Sequence, residues 1–499
     1  MSEKRDEAAF CHAGTQDDAS EKPIETLAVG GNDAFNEAMI KEPPRAWTKS
    51  QMMIYAFSIV GFFCSTMNGY DGSLINNLLQ NPWFQEKYGI ENSGFWTGLV
   101  SAMYQIGGVV ALPFTGPCID GFGRRAGMFA GAITIVIALY MTLWFTGAII
   151  AAGSARGGLD VGGDYSWRLI TWLQALFSGL ICILCWFIPE SPRWLYVRNK
   201  QDQAKKILSE YHGNGNPESA WVTLQMHEYD EYLNLNGSDK RWWDYRTLVQ
   251  DRTAVYRLCC SVAIPVFAQW AGNAVLSYFL GSVLETAGYT SAIAQANITL
   301  INNCQQFFWA ILGALLVDKV GRRPLLMFSY MGCAVVWLGM TVASSVFEKS
   351  HYGDDKNGKP LYSNHQASKA TLALIFIFGA IYSVGVTPLQ ALYPVEVLSF
   401  EMRAKGMAVS NLAVNAAGLL NQFAWPVAMK GIKWRTYIIF TIWCLIQFTI
   451  VYVFIPETKG RTLEELDDIF KAKRPVKASL KKKTVAITNN GNIVAVDGI

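Results

Sequence analysis

Charge is scarce in this sequence. Lys, Arg, Asp and Glu make up 16% of the 499 residues against 51% hydrophobic, and the mean hydropathy is +0.19. A soluble globule of this length needs more charge than that to cover its surface, so lipid must take the place of water over much of it. Histidine is scarcer still: there are five, all in polar segments. Neither a metal-ligand spacing nor a Ser-His-Asp arrangement is present, so no enzyme activity, catalytic residue, metal or other cofactor is expected. A net formal charge of +3 gives no support to a nucleic-acid partner. Cysteine is not lacking, but Cys64, Cys118, Cys182, Cys185, Cys259, Cys260, Cys304, Cys333 and Cys444 lie in or beside apolar runs. There Cys behaves as a small hydrophobe, and no disulfide framework or zinc spacing appears. The N-terminal 50 residues contain no apolar run, so no cleavable signal peptide is expected and the first span acts as its own signal.

What is present is a series of apolar runs of about 20 residues, the length that crosses roughly 30 Å of hydrocarbon. They fall near 52–70, 95–117, 127–152, 168–188, 255–283, 295–317, 325–346, 370–393, 405–428 and 435–455, ten spans in all. The fold class is therefore an all-α membrane protein. The densest basic clusters beside spans are Gly121-Phe-Gly-Arg124-Arg125 and Gly321-Arg322-Arg323. Basic short loops stay in the cytosol, which puts both chain ends and the 190–253 segment inside. The loops at 153–167 and 346–369, with Asp160, Asp164, Asp354 and Asp355, fall outside.

The charged 190–253 segment divides the chain into an N-terminal tail (1–50), a first bundle (51–189), this cytosolic connector, a second bundle (254–456) and a C-terminal tail (457–499). The bundles repeat one another. Asp120-Gly-Phe-Gly-Arg-Arg in the first is matched by Asp318-Lys-Val-Gly-Arg-Arg in the second, and Pro189-Glu-Ser-Pro by Pro456-Glu-Thr-Lys. Matched landmarks in one order mark an internal duplication, common among secondary transporters. The copies differ in length: 69 residues and two spans separate Asp120 from Pro189, whereas 138 residues and four spans separate Asp318 from Pro456. The simplest account is that the 127–152 span joins the front of a third helix to the back of a fifth, with the fourth absent.

The repeated Asp-x-x-Gly-Arg-Arg loops, Pro189-Glu-Ser-Pro-Arg193-Trp-Leu and Pro456-Glu-Thr-Lys-Gly resemble those of sugar porters of the major facilitator superfamily, over roughly residues 50 to 470. Gly69-Tyr-Asp71-Gly, Gln269-Trp-Ala-Gly-Asn273 and Pro388-Leu-Gln-Ala-Leu-Tyr-Pro-Val-Glu396 are most similar to fungal lactose/cellodextrin-type permeases. The resemblance implies one sugar, a disaccharide or hexose, bound between two pseudo-symmetric bundles that alternate its access to the two membrane faces, usually with a proton as co-substrate. The family has twelve spans where ten are read here.

Asp71 ends an otherwise uncharged span, where an ionised carboxylate is costly unless paired or protonated, and is the candidate proton carrier. The resemblance implies an Arg partner on the fourth helix, the one this chain lacks. Neutral amides both donate to and accept from sugar hydroxyls. The second bundle carries them within apolar runs: Gln269, Asn273, Gln305, Gln306, Gln390, Asn411 and Asn415. Each has an alternative as a structural bond between helices. Gln269 matches the family's seventh-helix glutamine; Asn273 sits one place earlier than the family's asparagine, and no tryptophan lies by Gln390-Ala391 where hexose porters have one. The charged motifs are candidates for a cytosolic gate, with Arg322 and Arg323 reaching Glu396, Arg403 reaching Glu457 or a neighbour, and Asp120, Arg124, Arg125, Glu190, Arg193 and Asp318 completing the two halves. The sequon at Asn297 lies in or beside a span and is expected to be unused. The basic tail from Lys471 to Lys483 is expected to be solvated and without structure.

Overall fold

The computed structural model describes residues 41–42, 47–89, 97–103, 105–107, 109–110, 137–235, 245–289, 291–354, 360–399, 402–461, 463–480, 484–487 and 493–496. Among these, seven helices are long and apolar enough to cross a membrane: Lys49–Leu79, Gly163–Phe187, Arg252–Ser277, Ala292–Val320, Arg322–Lys349, His365–Val397 and Lys433–Phe454. Two further long helices, Ile137–Val161 and Arg403–Ile432, stand where spans were expected. About half of the expected 95–117 span and the start of the 127–152 span lie outside the described residues.

The first bundle opens with α1 (Lys49–Leu79), capped by Thr48, whose side chain accepts from the Gln51 N–H. It stops at Gln80 because Asn81 caps the next helix, α2 (Pro82–Tyr88), which has Pro at its first turn. The 97–107 segment is helical in its described residues; α3 (Ile137–Val161) and α4 (Gly163–Leu184) follow. Tyr70, Leu74, Leu78, Ala151, Ala155 and Ile170 form the bundle's core. The tightest crossing is that of α1 with α3. A Cβ on Gly69 would run into the Trp144 backbone and one on Gly147 into the Thr66 and Tyr70 backbones. Small residues permit such an approach in lipid, where packing rather than water exclusion holds helices together.

The connector is helical, with α5 (Pro192–Val197), α6 (Gln201–Tyr211) and α7 (Ala220–Leu235) around a small core of Leu195, Tyr196 and Ala204. It grips the start of the membrane body. Ser219 and the Trp221 indole both bond Glu42, and the Ser50 hydroxyl donates to the Glu210 carbonyl at 2.8 Å.

The second bundle runs α8 (Arg252–Ala268), a π-turn at Gln269–Asn273, α9 (Ala274–Tyr278), α10 (Leu280–Thr286), α11 (Ala292–Val320), α12 (Arg322–Lys349), α13 (His365–Val397), α14 (Arg403–Ile432) and α15 (Thr436–Phe454). A hairpin of β1 (His351–Asp354) and β2 (Pro360–Tyr362) joins α12 to α13. The large core centres on Trp337, which stacks on Phe440 and meets Phe378 and Tyr437.

The C-terminal segment is helical up to Lys471, ahead of the basic stretch expected to be without structure, and that stretch departs from the expectation at Pro475–Ser479. The segment forms α16 (Leu463–Lys471) and α17 (Pro475–Ser479), and Leu466, Ile469 and Phe470 enter the second-bundle core. Arg257 of α8 pairs with Asp467 and lies over the Phe470 ring. The apolar positions at 466, 469 and 470 are one helical face, a signal masked in the sequence by the acidic residues between them. Apart from these helices, the described residues near the C-terminus form an antiparallel hairpin of β3 (Thr484–Ile487) and β4 (Ile493–Val496).

Candidate functional site

Between the bundles lies a small polar cavity lined by Ser73 and Asn76 of α1, Trp144 of α3, Leu276, Ser277 and Leu280, and Thr299, Asn302, Asn303 and Gln306 of α11. The α11 residues recur every three or four positions, so one polar stripe of a 29-residue helix faces the gap. The lining has hydroxyls, amides and one indole but no charge. Its free volume is about 10 Å³, room for a single water, so the site is closed around its centre.

The bundles are bonded to each other beside this cavity. Asn303 Nδ2 donates to the Ala148 carbonyl at 3.2 Å, Thr299 Oγ1 to Gln80 Oε1 at 3.5 Å, and Arg156 Nε to Asn297 Oδ1 at 3.1 Å. Gln80 is itself braced by Asn76, to which its Nε2 donates at 3.1 Å. Thr299, Asn297, Gln80 and Arg156 all lie toward the ends of their helices away from the Gly321-Arg322-Arg323 loop, so these bonds join the bundles on that side of the cavity. Asn297, the sequon residue, is thus an acceptor at this contact.

One wall of the gap is the kinked α8. Pro265 cannot donate to the Ser261 carbonyl, which instead accepts from Ser410 Oγ of α14 at 2.9 Å. Gly272 has φ +102°, a conformation favouring glycine, and a Cβ there would strike the Trp337 indole. The carbonyls freed along the break are capped from four other helices. Gln447 Nε2 donates to Phe267 O at 3.0 Å, Tyr382 OH to Ala268 O at 3.1 Å, Asn421 Nδ2 to Gln269 O at 2.9 Å and Trp337 Nε1 to Ala271 O at 2.9 Å. Trp270 Nε1 in turn donates to the Ala417 carbonyl at 3.2 Å.

The charged motifs of the second bundle are joined in one network. Arg322 reaches Glu396 with Nε at 3.1 and 3.2 Å and Nη2 at 2.7 Å, and Asp318 sits 3.1 Å from its Nη1. Thr458 Oγ1 also donates to Glu396, at 2.5 Å. Glu457 caps the start of α12, accepting from the Arg322 and Arg323 N–H groups at 2.9 and 3.0 Å, where a carboxylate suits the helix dipole. The Arg323 guanidinium does not join Glu396: it donates to the Tyr452 carbonyl at 2.6 Å and lies over that ring. Glu190 in the first bundle accepts from the Ser191 N–H at 3.0 Å. Asp120, Arg124 and Arg125 lie outside the described residues, as does the Arg193 side chain.

Of the expected sugar contacts, only Gln306 lines the cavity. Asn273 lies at the kink and accepts from Ser277 Oγ at 3.4 Å. Gln269 lends its carbonyl to Asn421. Gln390 on α13 and Asn411 and Asn415 on α14 are not in the lining, and Asn415 donates back to the Asn411 carbonyl at 2.9 Å. Gln305 ties α11 to α13 through the Phe376 carbonyl at 2.8 Å. Sequence reasoning missed Ser73, Asn76, Asn302 and Asn303, although the 299/302/303/306 spacing was there to be read. Asp71 accepts from the Gln174 side chain of α4, and its Oδ1 is buried without a partner among the described residues.

The model of the sugar (and other) transporter family matches residues 57–146 and 135–470. This chain belongs to that family. It is 28% identical over 388 residues to a high-affinity glucose transporter of Candida albicans, covering 74% of this chain and 66% of that protein. It is 24% identical over 484 residues to the probable metabolite transport protein CsbC of Bacillus subtilis, covering 86% and 95%. The chain spans 56 to 66% of the length of the relatives it matches from Aspergillus, Candida and Kluyveromyces. The fold matches that of the proton:xylose symporter XylE bound to 6-bromo-6-deoxy-D-glucose, with TM-score 0.64 at 18% identity, over 84% of this chain and 99% of that one. The architecture is the major facilitator fold.

Proposed function

We propose that this chain carries a sugar, hexose or disaccharide, across a membrane by alternating access, with proton symport through Asp71 and no chemical transformation. The observation that carries the reading is the cavity between the bundles. Asn76, Asn302, Asn303 and Gln306 offer donors and acceptors to a ring of hydroxyls, Ser73 and Thr299 add hydroxyls, and Trp144 offers a flat face for the C–H side of the ring. The printed functions of the relatives, glucose transport and proton:xylose symport, support the substrate class. The outer inter-bundle bonds are the contacts that part to admit substrate, and the Arg322–Glu396 network is the inner latch of the second bundle. Asp71, held by a neutral amide instead of a cation, can take up a proton without breaking an ion pair. A plasma-membrane site follows from uptake as the role.

A second reading, that the chain binds sugar but does not accumulate it, has one observation in its favour. The two family matches overlap at 135–146, where the third and fifth helices of the first bundle are read as joined. The alignment with CsbC occupies 484 positions but 86% of these 499 residues, about 429, so about 55 positions of the relative face gaps here. In the fold, α3 crosses α11 as α14 crosses the 97–107 segment, which supports α3 in its outer half as a fifth helix. Labelled-sugar exchange and proton-driven accumulation by proteoliposomes separate the readings: exchange with accumulation supports symport, and binding without either supports the second.

A further inference from the structure

The crossing of α14 with the 97–107 segment is the counterpart, on the opposite wall, of the α3–α11 crossing, but its polar groups are unsatisfied. Gln422 is 1% exposed, and both its Nε2 and its Oε1 lack a partner among the described residues. Ser101, also 1% exposed, has its Oγ in the same condition. The two helices are in close contact here: a Cβ on Gly98 would meet the Gln422 carbonyl, and one on Gly418 would lie 2.8 Å from Cδ of Gln105, itself buried. Ser101 falls between, one turn from Gly98 and one from Gln105, on the same face. On the other wall the equivalent amide, Asn303, is bonded at 3.2 Å.

An amide buried with neither group bonded is costly where no water can reach it. It persists in this closed arrangement, so a partner for it must come when the helices separate. Gln422 lies 19 residues beyond Arg403, the cytosolic start of α14, hence about 28 Å up the helix and close to the outer mouth of the gap. Its neighbour Asn421 holds the α8 kink, and α8 continues into Leu276 and Ser277 of the polar cavity, so a solute entering from outside passes Gln422 before Gln306. Gln422, Gln105 and Ser101 together present two amides and a hydroxyl, able to donate and accept, at one-turn intervals.

We propose that Ser101, Gln105 and Gln422 form an outer entry site that takes sugar hydroxyls when the outer side opens, and so selects among sugars before they reach the central cavity. The proposal rests on the sugar reading above. Closure of the outer side expels the sugar inward and leaves the amide without a partner, which makes the closed arrangement easier to reopen.

The test uses the full chain in proteoliposomes, with D-glucose and its 2-, 3-, 4- and 6-deoxy analogues presented from outside or from inside. Gln422→Leu is expected to raise the half-saturation for influx of glucose about tenfold, to leave efflux half-saturation unchanged, and to hold or raise the melting temperature. One analogue that is poorer than glucose in the parent chain loses its handicap in the variant, because the hydroxyl it lacks no longer has a partner. Ser101→Ala is expected to move in the same direction more weakly, and serves if Gln422→Leu does not fold. Folded variants with the parent's influx half-saturation and the parent's ranking of analogues overturn the proposal and leave Gln422 to water alone. If the parent chain neither binds nor exchanges any of these sugars, nor lactose, the sugar reading itself fails and the entry site with it.

Discussion

Asn421 of α14 donates its Nδ2 to the Gln269 carbonyl at 2.9 Å while its Oδ1 accepts from the Trp425 indole at 2.8 Å. Both ends of the amide are engaged, and it caps one of the carbonyls freed at the break after α8. Asn421→Ala therefore leaves both a carbonyl and an indole N–H without partners inside the bundle. Interhelical bonds of this kind contribute about 0.6 to 2 kcal/mol each in membranes. A melting temperature lower by several degrees is expected, with the loss reproduced by Asn421→Leu. An unchanged melting curve for both variants would show that the kink does not depend on this clasp.

The α1–α3 crossing makes the sharpest packing prediction. Gly69→Val and Gly147→Val each insert a branched side chain into the facing backbone, and overpacking of this kind costs about 1–3 kcal/mol or more. Both should express poorly or melt early, whereas Gly61→Ala, with nothing within 4 Å of its Cβ, should be indistinguishable from the parent. Equal behaviour of all three by size-exclusion profile and thermal scan would contradict the described crossing.

At the cytosolic end, Arg322→Ala strands Glu396 in a mostly buried site, and breaking a buried pair costs about 3–5 kcal/mol. Arg323→Ala should be milder, since its guanidinium meets a carbonyl and a ring and not a carboxylate. The order of the two losses in melting temperature is the check; a larger loss at Arg323 would mean that the ion pair is not the latch. Glu396→Gln keeps the shape of the network and should fall between them.

For coupling, Asp71→Asn is expected to abolish sugar accumulation driven by a proton gradient while sparing sugar exchange, because the asparagine can still bond Gln174 but cannot carry a proton. Gln174→Leu should weaken coupling without abolishing it. Accumulation by Asp71→Asn at the parent's level would remove Asp71 from the proton path.

Most of the spans and the charged loop of the second bundle were legible in the sequence, because a helix of about 20 apolar residues has no soluble reading and charged loops stand out against it. The site was only partly legible. Amides within apolar runs were singled out as a class, yet which of them faces the gap depends on helix rotation, which one helix alone does not fix. Gln306 and Gln305 are adjacent in sequence, and one lines the cavity while the other bonds a neighbouring helix. Asn411 and Asn415 drew notice through their one-turn spacing, whereas Asn421 and Gln422, two turns on, are the buried amides of that helix. The matched pairing of Arg322 with Glu396 was readable because both carry charge next to lipid; the turning of Arg323 to Tyr452 was not, since a backbone carbonyl leaves no mark in the sequence.

The central claim is that the polar cavity between the bundles holds sugar. It is tested most directly by exchange of radiolabelled sugar into proteoliposomes preloaded with unlabelled D-glucose or lactose, for the parent chain and for Gln306→Leu and Asn302→Leu. The predicted result is saturable exchange by the parent of at least one of these sugars and a rise in half-saturation of about tenfold or more in both variants, with melting temperatures near the parent's. Parent-like exchange in both folded variants, or no exchange or binding of either sugar by a folded parent chain, would contradict it.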